Sequence, residues 1–442
     1  MQSGPAEPSR SRRRMRMDEH VRDLVIGVVR MGVVLGALMA SVPLLVLAER
    51  RICAAIQDRV GPNRVGPYGI LQPLADAIKN LFKEDLVPDR VDRPMYRLAP
   101  LLAITFPLLM FVMIPFGRDL VLTRAGLRGT GTLATVAGAA VGAVLAGISV
   151  LAYGTGERAR WLFVPLLGAA CAAVAGGAVA GFGLNWLAGS MPETGLTVRL
   201  QVADPPAGLL FFMGMASLGV YAVVIGGWAS NNKFALLGAL RAAAQMISYE
   251  IVLGLSLLLV IVATADAAPV GTVRMSEIVF RQTAPIDCLG IPLPGWNVFR
   301  QPLACLLFIA AGFAENKRLP FDLPECEAEL VGGYHTEYSG MRFALFMMGE
   351  YLAMVAFSAA TVTLFLGGWH VPGLDPLGLS WVSGLFSVAV FASKTSALLF
   401  LYIWVRWSIP RFRFDQLMAL GWKVMIPLAF LNLAVSAGLR LS

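Results

Sequence analysis

Long runs of apolar residues follow one another along most of this chain, and ten of them approach the roughly 20 residues that a helix needs to cross a membrane. The runs are 24–48, 98–117, 132–153, 162–188, 205–227, 243–265, 299–314, 343–367, 379–405 and 421–440. An open sheet is excluded, because unpaired backbone groups cannot face lipid. The pattern therefore predicts an all-α polytopic membrane protein with about ten transmembrane helices.

The composition excludes an ordinary soluble domain. Hydrophobic residues make up 57% of the 442 residues and charged residues 14%, against about a quarter charged in soluble domains. A protein this apolar has too few polar groups to cover a surface exposed to water. We therefore interpret its net charge of +8 as a record of membrane topology and lipid contact, with no role in nucleic-acid binding.

The basic residues between the apolar runs orient the helices. Twenty Lys and Arg residues lie in 49–97, 154–161, 228–242, 315–342 and 406–420 together with Lys423, whereas the loops of the opposite side hold seven. By the positive-inside rule, the first set faces the cytoplasm. The basic tail 1–20 falls on the other side. It is predicted to be disordered, and translation is predicted to begin at Met17.

An amphipathic helix is predicted at 70–84, inside the first long polar loop. Its apolar positions recur at three- and four-residue spacing and are Ile70, Leu71, Leu74, Ile78, Leu81 and Phe82. Charged and amide side chains occupy its other faces, so we expect the helix to lie at the membrane interface rather than to span it. Two interpretations remain open: a helix that seals the rim of the bundle, or a doorway through which a lipid-soluble ligand enters beside the first span.

The second long loop, 315–342, is acidic. Seven carboxylates lie between positions 315 and 350, and Pro320 and Pro324 prevent a continuous helix there. A structural explanation covers part of this set: Asp322 and Glu325 have the spacing of a helix N-cap and its partner, and Arg318 is placed to pair with Glu315. It leaves the remaining acidic residues unexplained.

Acidic residues also fall at or inside the apolar runs. Asp204 precedes one run, and Glu250 and Glu350 lie within two others. A charge at the middle of the bilayer costs roughly 2.5–3.5 kcal/mol on insertion scales, so such groups face a wet cavity, pair with a cation, or titrate. Several on one side of the membrane favour a proton route. Lys394 is a candidate partner for one of them.

The cysteines and histidines form no recognisable ligand set. The five cysteines are scattered without a CxxC pair, and the three histidines are dispersed. We therefore expect no metal and no redox cofactor bound by this chain. Any redox cofactor would belong to a partner or a substrate.

Several long motifs carry a specific resemblance. They are ERR at 49–51, QDRVGPN at 57–63, LQPLADA at 71–77, GWASNNK at 227–233, AAQMISYE at 243–250, PFDLPE at 320–325, GYHTEYSG at 333–340 and PRFRFDQL at 410–417. In this order they resemble the H subunit of proton-pumping NADH:quinone oxidoreductase, respiratory complex I. The resemblance covers about residues 20–117 and 200–440.

The resemblance implies eight core transmembrane helices that join the membrane arm of the complex to its peripheral arm and form part of the quinone tunnel. Quinone is then the substrate, while FMN and iron–sulfur clusters sit in partner subunits. The Ala-, Gly- and Arg-rich composition indicates a bacterial plasma membrane. The quinone-side residues that the resemblance implies are Arg50, Arg59, Asp76 and Phe343. The proton route it implies comprises Asp204, Tyr249, Glu250, Glu315, Asp322, Glu325, Glu327, Glu337 and Glu350.

The sequence departs from the family pattern in three places. Residues 118–199 read as an insertion with two extra spans, which divides the chain into 1–20, 21–117, 118–199 and 200–442. Lys317 stands where the family commonly has Asn. Pro205 and Pro206 follow Asp204 and put its role in doubt.

Three other functions are weighed against this one. A subunit of a membrane-bound hydrogenase-type complex would share the fold but work without quinone. A stand-alone proton or cation transporter would show internal repeats with paired broken helices, and the two long polar loops differ in content. A membrane scaffold would leave the buried acidic residues unexplained.

Overall fold

The chain forms two compact units. A computed structural model describes residues 10–122, 196–265, 271–288, 291–325, 327–372 and 380–441, with isolated positions between 128 and 185. The larger unit comprises 1–116, 201–372 and 389–442, and the smaller comprises 117–200 and 373–388. In the smaller unit, strands β1 (Leu120–Leu122) and β2 (Leu196–Val198) pair antiparallel. The candidate functional residues all lie in the larger unit.

Helices make up most of the described chain. They are α1 (Arg10–Ile56), α2 (Gln72–Phe82), α3 (Arg93–Val112), α4 (Gly208–Ala229), α5 (Lys233–Thr264), α6 (Met275–Arg281), α7 (Asn297–Arg300), α8 (Pro302–Glu315), α9 (Glu327–Leu330), α10 (Gly340–Phe365), α11 (Ser380–Ser408), α12 (Phe414–Ala419) and α13 (Ile426–Leu441). A π-helical turn, Leu420–Met425, joins α12 to α13. Short 3-10 turns occupy Pro67–Gly69 and Gly333–His335.

Seven helical segments of the described residues are long and apolar enough to cross a membrane. They are Gly27–Ile56, Arg93–Val112, Gly208–Ala229, Lys233–Thr264, Gly340–Phe365, Val382–Ser408 and Phe414–Leu439. Helix α8 is apolar but shorter, with 14 residues. These segments match the predicted runs outside 118–199, so the all-α polytopic membrane class is confirmed. The two further spans predicted within 118–199 lie outside the described residues.

Local sequence signals account for where several helices begin. Asp92 caps α3, its side chain accepting a hydrogen bond from the Met95 amide, with a proline in the first turn. Asn232 caps α5 by accepting from the Phe234 amide at 2.9 Å. The segment between α8 and α9 contains Pro320 and Pro324 and is not helical, as the prolines predict.

Helix α1 begins at Arg10, within the segment 1–20 for which the sequence predicts a disordered tail. Arg and Met are good helix formers, and extending an existing helix avoids the cost of a new nucleus. The membrane-spanning helix therefore continues into the basic segment. Residues 1–9 lie outside the described residues.

The core of the larger unit is centred on α5 and α10, the most enclosed of the spanning helices. Aromatic side chains from α4, α8 and α10 fill it, among them Phe212, Phe308 and Phe357. A short antiparallel pair, β3 (Ile286–Cys288) with β4 (Ile291–Leu293), follows α6. Because this pair is only three residues long on each strand, the apolar pattern gave no signal for it.

Candidate functional site

A cavity of about 370 Å³ opens between the end of α1, the amphipathic helix α2 and the start of α10. Its walls are mostly apolar, and three methionines make them adaptable. The lining residues are Val42, Pro43, Val46, Arg50, Pro73, Asp76, Ala77, Asn80, Leu81, Met341, Phe343, Ala344, Met347, Met348 and Tyr351. Its volume lies in the range of small-molecule sites, and its lining suits an elongated apolar ligand.

Three of the four residues predicted for the quinone side line this cavity: Arg50, Asp76 and Phe343. Arg50 Nη1 lies 2.7 Å from Asp76 Oδ2 and ties α1 to α2. The fourth, Arg59, is not among the described lining residues. Its Nε donates to Gln57 Oε1 at 2.7 Å, and its amide donates to the Ala54 carbonyl at 2.8 Å.

Helix α2 is where the spacing predicted an amphipathic helix. None of its described residues is buried, and apolar side chains such as Leu74 and Phe82 remain exposed. An exposed apolar stripe beside a cavity is compatible with both interpretations, the helix that seals the rim and the doorway. The sequence pattern left both interpretations open.

A buried ionic cluster adjoins the cavity. Tyr351, which lines the cavity, donates its hydroxyl to Glu49 Oε2 at 2.7 Å. Glu49 Oε1 lies 2.5 Å from Arg406 Nη1 and 3.9 Å from Arg318 Nη1. The Arg318 guanidinium also stacks over the Tyr351 ring at 4.4 Å. Glu49 and Arg318 are both almost fully buried, so each relies on the other groups for charge compensation.

Arg318 links this cluster to a second, smaller cavity. Its Nε lies 2.6 Å from Glu350 Oε1. Glu350, Glu315, Lys317 and Tyr334 line a cavity of about 60 Å³ that is large enough for water. Glu315 Oε2 is buried without a hydrogen-bond partner among the described residues. The helical spacing predicts that Arg318 pairs with Glu315. Among the described residues, Arg318 instead contacts Glu49 and Glu350.

The loop after α8 holds two further ionic pairs. Asp322 Oδ2 lies 3.3 Å from Arg411 Nη2. Glu325 Oε1 lies 3.4 Å from His335 Nε2 and accepts from the Tyr334 hydroxyl at 3.3 Å. The structure therefore replaces the N-cap interpretation of Asp322 and Glu325, since both carboxylates pair with basic side chains, Arg411 and His335.

Opposite influences separate the pKa values of these two carboxyl groups. Burial and the negative charges of Glu325 and Glu350 raise the pKa of Asp322 to about 7, although Arg411 opposes them. Burial acts the same way on Glu325, but the hydrogen bond and charge of His335, with Arg318 and Lys317, outweigh it and lower its pKa to about 2. Asp322 is thus suited to hold a proton near neutral pH, while Glu325 stays ionised.

The remaining predicted route residues are more dispersed. Tyr249 donates to the Leu417 carbonyl at 2.8 Å, Glu250 accepts from the Ser217 hydroxyl, and Glu337 accepts from Asn232 Nδ2 at 2.6 Å. The side chain of Glu327 lies outside the described residues.

Asp204 stands apart from the cluster. It accepts from Ser276 Oγ at 2.7 Å and lies 3.9 Å from Arg274 Nε. It precedes the start of α4, whereas the loop residue Tyr338 contacts the far end of that helix at the Gly226 carbonyl. Asp204 therefore lies near the start of α4, whereas Glu250 contacts Ser217 near the middle of the same helix.

Within the part of the chain that the structure describes, Lys394 pairs with no buried carboxylate, so that expectation is wrong. Its Nζ donates to the backbone carbonyls of Leu366, Gly368 and His370 at 2.7, 3.0 and 2.8 Å. It also lies 4.3 Å from the Trp296 ring centre. The carbonyl groups at and after the end of α10 lack helical hydrogen-bond partners, and the Lys394 ammonium donates hydrogen bonds to them.

Sequence reasoning missed three members of the site: Glu49, Tyr351 and Arg406. Glu49 and Tyr351 each adjoin a residue that was named, Arg50 and Glu350. Glu49 also ends an apolar run, which is a usable signal for a charge that needs a buried partner. Arg406 follows the apolar run 379–405 in the same way, but the sequence does not indicate that it pairs with Glu49, from which 357 residues separate it.

Comparison with known proteins finds relatives that cover nearly the whole chain. A family model described as NADH dehydrogenase matches residues 29–155 and 154–437. The NADH-quinone oxidoreductase H subunit 1 of Geobacter metallireducens is 40% identical over 414 residues, which cover 94% of this chain and 96% of the relative. The protein of the same name from Cytophaga hutchinsonii is 37% identical over 390 residues, covering 88% and 89%. The H subunit 2 of Geobacter sulfurreducens is 39% identical over 414 residues, covering 94% and 96%.

Proposed function

This chain belongs to the H subunit family of NADH-quinone oxidoreductase, and we propose that it forms part of the quinone tunnel and couples quinone reduction to proton translocation. The observation that carries the proposal is the continuous set of contacts from the larger cavity through Tyr351, Glu49 and Arg318 to Glu350. It connects a space suited to a lipid-soluble ligand with carboxylates suited to proton exchange.

In this proposal the larger cavity admits the quinone from the membrane. The apolar side chains of α1, α2 and α10 contact its isoprenoid tail, and the Arg50–Asp76 pair holds α2 against α1 at the doorway. Reduction of quinone to quinol takes up two electrons and two protons. The electrons come from an iron–sulfur centre of a partner subunit, so this chain contributes binding and proton handling.

Arg318 is the residue through which a charge change at the cavity reaches the proton route. Its guanidinium lies 3.9 Å from Glu49 and 2.6 Å from Glu350. When the charge or hydrogen bonding at Tyr351 and Glu49 changes, the strength of the Arg318–Glu49 ion pair relative to the Arg318–Glu350 ion pair changes too. Glu350 then binds or releases a proton, and Glu315, Asp322 and the other acidic residues pass it towards the membrane arm.

The same proposal extends to partners and location. The chain works with peripheral-arm subunits that hold the FMN and iron–sulfur clusters, and with further membrane-arm subunits. It lies as a multi-pass protein in the bacterial plasma membrane. It binds quinone and lipid, no nucleic acid, and no cofactor of its own.

Blocking the larger cavity tests the quinone assignment. Ala77→Trp places a large side chain in the lining, while Lys79→Trp adds the same side chain at an exposed position of the same helix. In membrane vesicles, we expect Ala77→Trp to lower kcat/KM for a long-tailed quinone by about tenfold, equivalent to about 1.4 kcal/mol. A short-tailed quinone should be affected less.

Lys79→Trp serves as the control, and its kcat/KM for the long-tailed quinone should equal that of the unsubstituted protein. Equal kinetics for both variants with the long-tailed quinone would remove the cavity from the quinone path. Hydrogenase activity in the purified complex, without quinone reduction, would favour the hydrogenase-type alternative.

A further inference from the structure

The smaller cavity contains a cation that the route described above does not use. Lys317 lines it together with Glu315 and Glu350, and its ammonium lies 5.1 Å from the centre of the Tyr334 ring. Arg318, the next residue, forms a close ion pair with Glu350. Lys317 makes no such pair with a carboxylate among the described residues.

The backbone at Lys317 is unusual for a lysine. Its φ is +53°, in the left-handed region that glycine and asparagine adopt more readily than other residues. The turn is fixed by a hydrogen bond from the Lys317 amide to the Ala314 carbonyl at 3.2 Å. A charged side chain thus occupies a position whose backbone favours glycine or asparagine.

The charged groups around Lys317 come from every neighbouring segment. Carboxylates face it from α8 (Glu315), from α10 (Glu350) and from its own loop (Glu325), and Arg318 adds a positive charge. Beyond these, His335 interacts with Lys317, and Glu250 of α5 interacts with Glu315. Burial lowers the pKa of Lys317 below its usual value, while the three carboxylates raise it and leave a net decrease.

We propose that Lys317 is a charge-compensating residue of the proton route, whose positive charge sets the pH at which Glu315 and Glu350 exchange protons across the smaller cavity. The proposal rests on the proposed function, since it assumes that these carboxylates carry protons. Lys317 itself touches no substrate. Its ammonium favours the ionised form of both carboxylates and so limits how long a proton stays on either.

Charge-removing and charge-keeping variants separate this role from a structural one. Lys317→Asn and Lys317→Met remove the charge, and Asn also fits the left-handed backbone, so folding is protected. Lys317→Arg keeps the charge but cannot deprotonate. Lys233→Asn removes an exposed lysine at the start of α5 and serves as the surface control.

The measurement is the pH profile of NADH-driven proton pumping in inverted membrane vesicles. Without the positive charge, the carboxylates keep their protons to higher pH. We therefore expect the acidic limb of the pH profile to shift to higher pH by roughly one unit in Lys317→Asn and Lys317→Met. Lys317→Arg should hold the limb in place, and Lys233→Asn should leave the profile unchanged.

Two outcomes would overturn the assignment. Profiles for Lys317→Asn and Lys317→Met that superpose on the original would show that the charge has no influence. A shift with Lys317→Arg equal to that with Lys317→Met would mean that proton transfer by the lysine, rather than its positive charge, matters.

Glu350→Gln distinguishes this failure from failure of the proposed function. If Glu350→Gln stops pumping while the Lys317 variants leave the profile in place, only the assignment of Lys317 fails. If Glu350→Gln pumps normally, the proton route fails and the role of Lys317 fails with it.

Discussion

Two cations beside α10 have different partners. Arg318 lies between the carboxylates of Glu49 and of Glu350, which is near the middle of the helix. Lys394, at the end of the helix, donates to three backbone carbonyls. The 16 positions from Glu350 to Leu366 correspond to about 24 Å of helix. Carboxylates gain and lose protons whereas carbonyls do not, so the first region suits proton handling and the second holds the fold together.

Removing Arg318 should have the largest effect. Arg318→Met leaves Glu49 and Glu350 buried with less compensation, which typically costs about 3–5 kcal/mol. We expect poor assembly of the complex, or a much lower Tm of the purified complex together with loss of pumping. Native gels and thermal unfolding in detergent would measure this.

Arg413→Met is the matched control for Arg318. Arg413 also pairs with a carboxylate, Asp415, at 3.1 Å, but both side chains are largely exposed. Exposed ion pairs contribute little to stability, so the Tm of the complex with Arg413→Met should equal that of the unsubstituted complex within error. If the two variants lost stability equally, burial would not be what distinguishes the Arg318 cluster.

Lys394→Met should have an intermediate effect that is confined to stability. Charge-assisted hydrogen bonds contribute about 1.5–3 kcal/mol, and the carbonyls after α10 would lose their donor. We expect a lower Tm but an unchanged number of protons pumped per quinone reduced by the complex that remains folded. A change in that ratio would show that Lys394 belongs to the proton route, and the contrast between the two cations would fail.

The smallest effect concerns His335 and depends on pH. Burial lowers the pKa of His335, but the hydrogen bond and charge of Glu325 outweigh it and raise the pKa above the usual value. The stability from this pair is fully present below about pH 6.5, the unfolded value, and is lost as pH rises through the raised pKa. Glu325, with a pKa of about 2, stays ionised throughout.

His335→Gln keeps a hydrogen-bond donor but cannot titrate. We expect it to lose more stability at pH 6 than at pH 9, by about 1 kcal/mol at most. Thermal unfolding of the purified complex at the two pH values would measure the difference. An equal loss at both values would show that the protonated histidine contributes nothing to the pair.

The spanning helices could be predicted from the sequence because length and apolarity alone decide whether a segment crosses a membrane. The start of α1 could not, since a basic segment that follows no apolar pattern still extends an existing helix. Arg50, Asp76 and Phe343 were found through the family resemblance, which placed them near one another. The pairings of Glu49, Arg318 and Arg406 depend on how distant segments pack, and no local pattern encodes that.

The central claim is that the contacts from the larger cavity through Tyr351 and Glu49 to Glu350 connect quinone reduction to proton movement. Tyr351→Phe tests it most directly, because it removes the hydroxyl that donates to Glu49 at 2.7 Å and keeps the ring over Arg318. Tyr221→Phe, at an exposed tyrosine of α4, is the control. We predict that Tyr351→Phe lowers the number of protons pumped per quinone reduced in inverted vesicles, while Tyr221→Phe leaves it unchanged. An unchanged ratio for Tyr351→Phe would contradict the account.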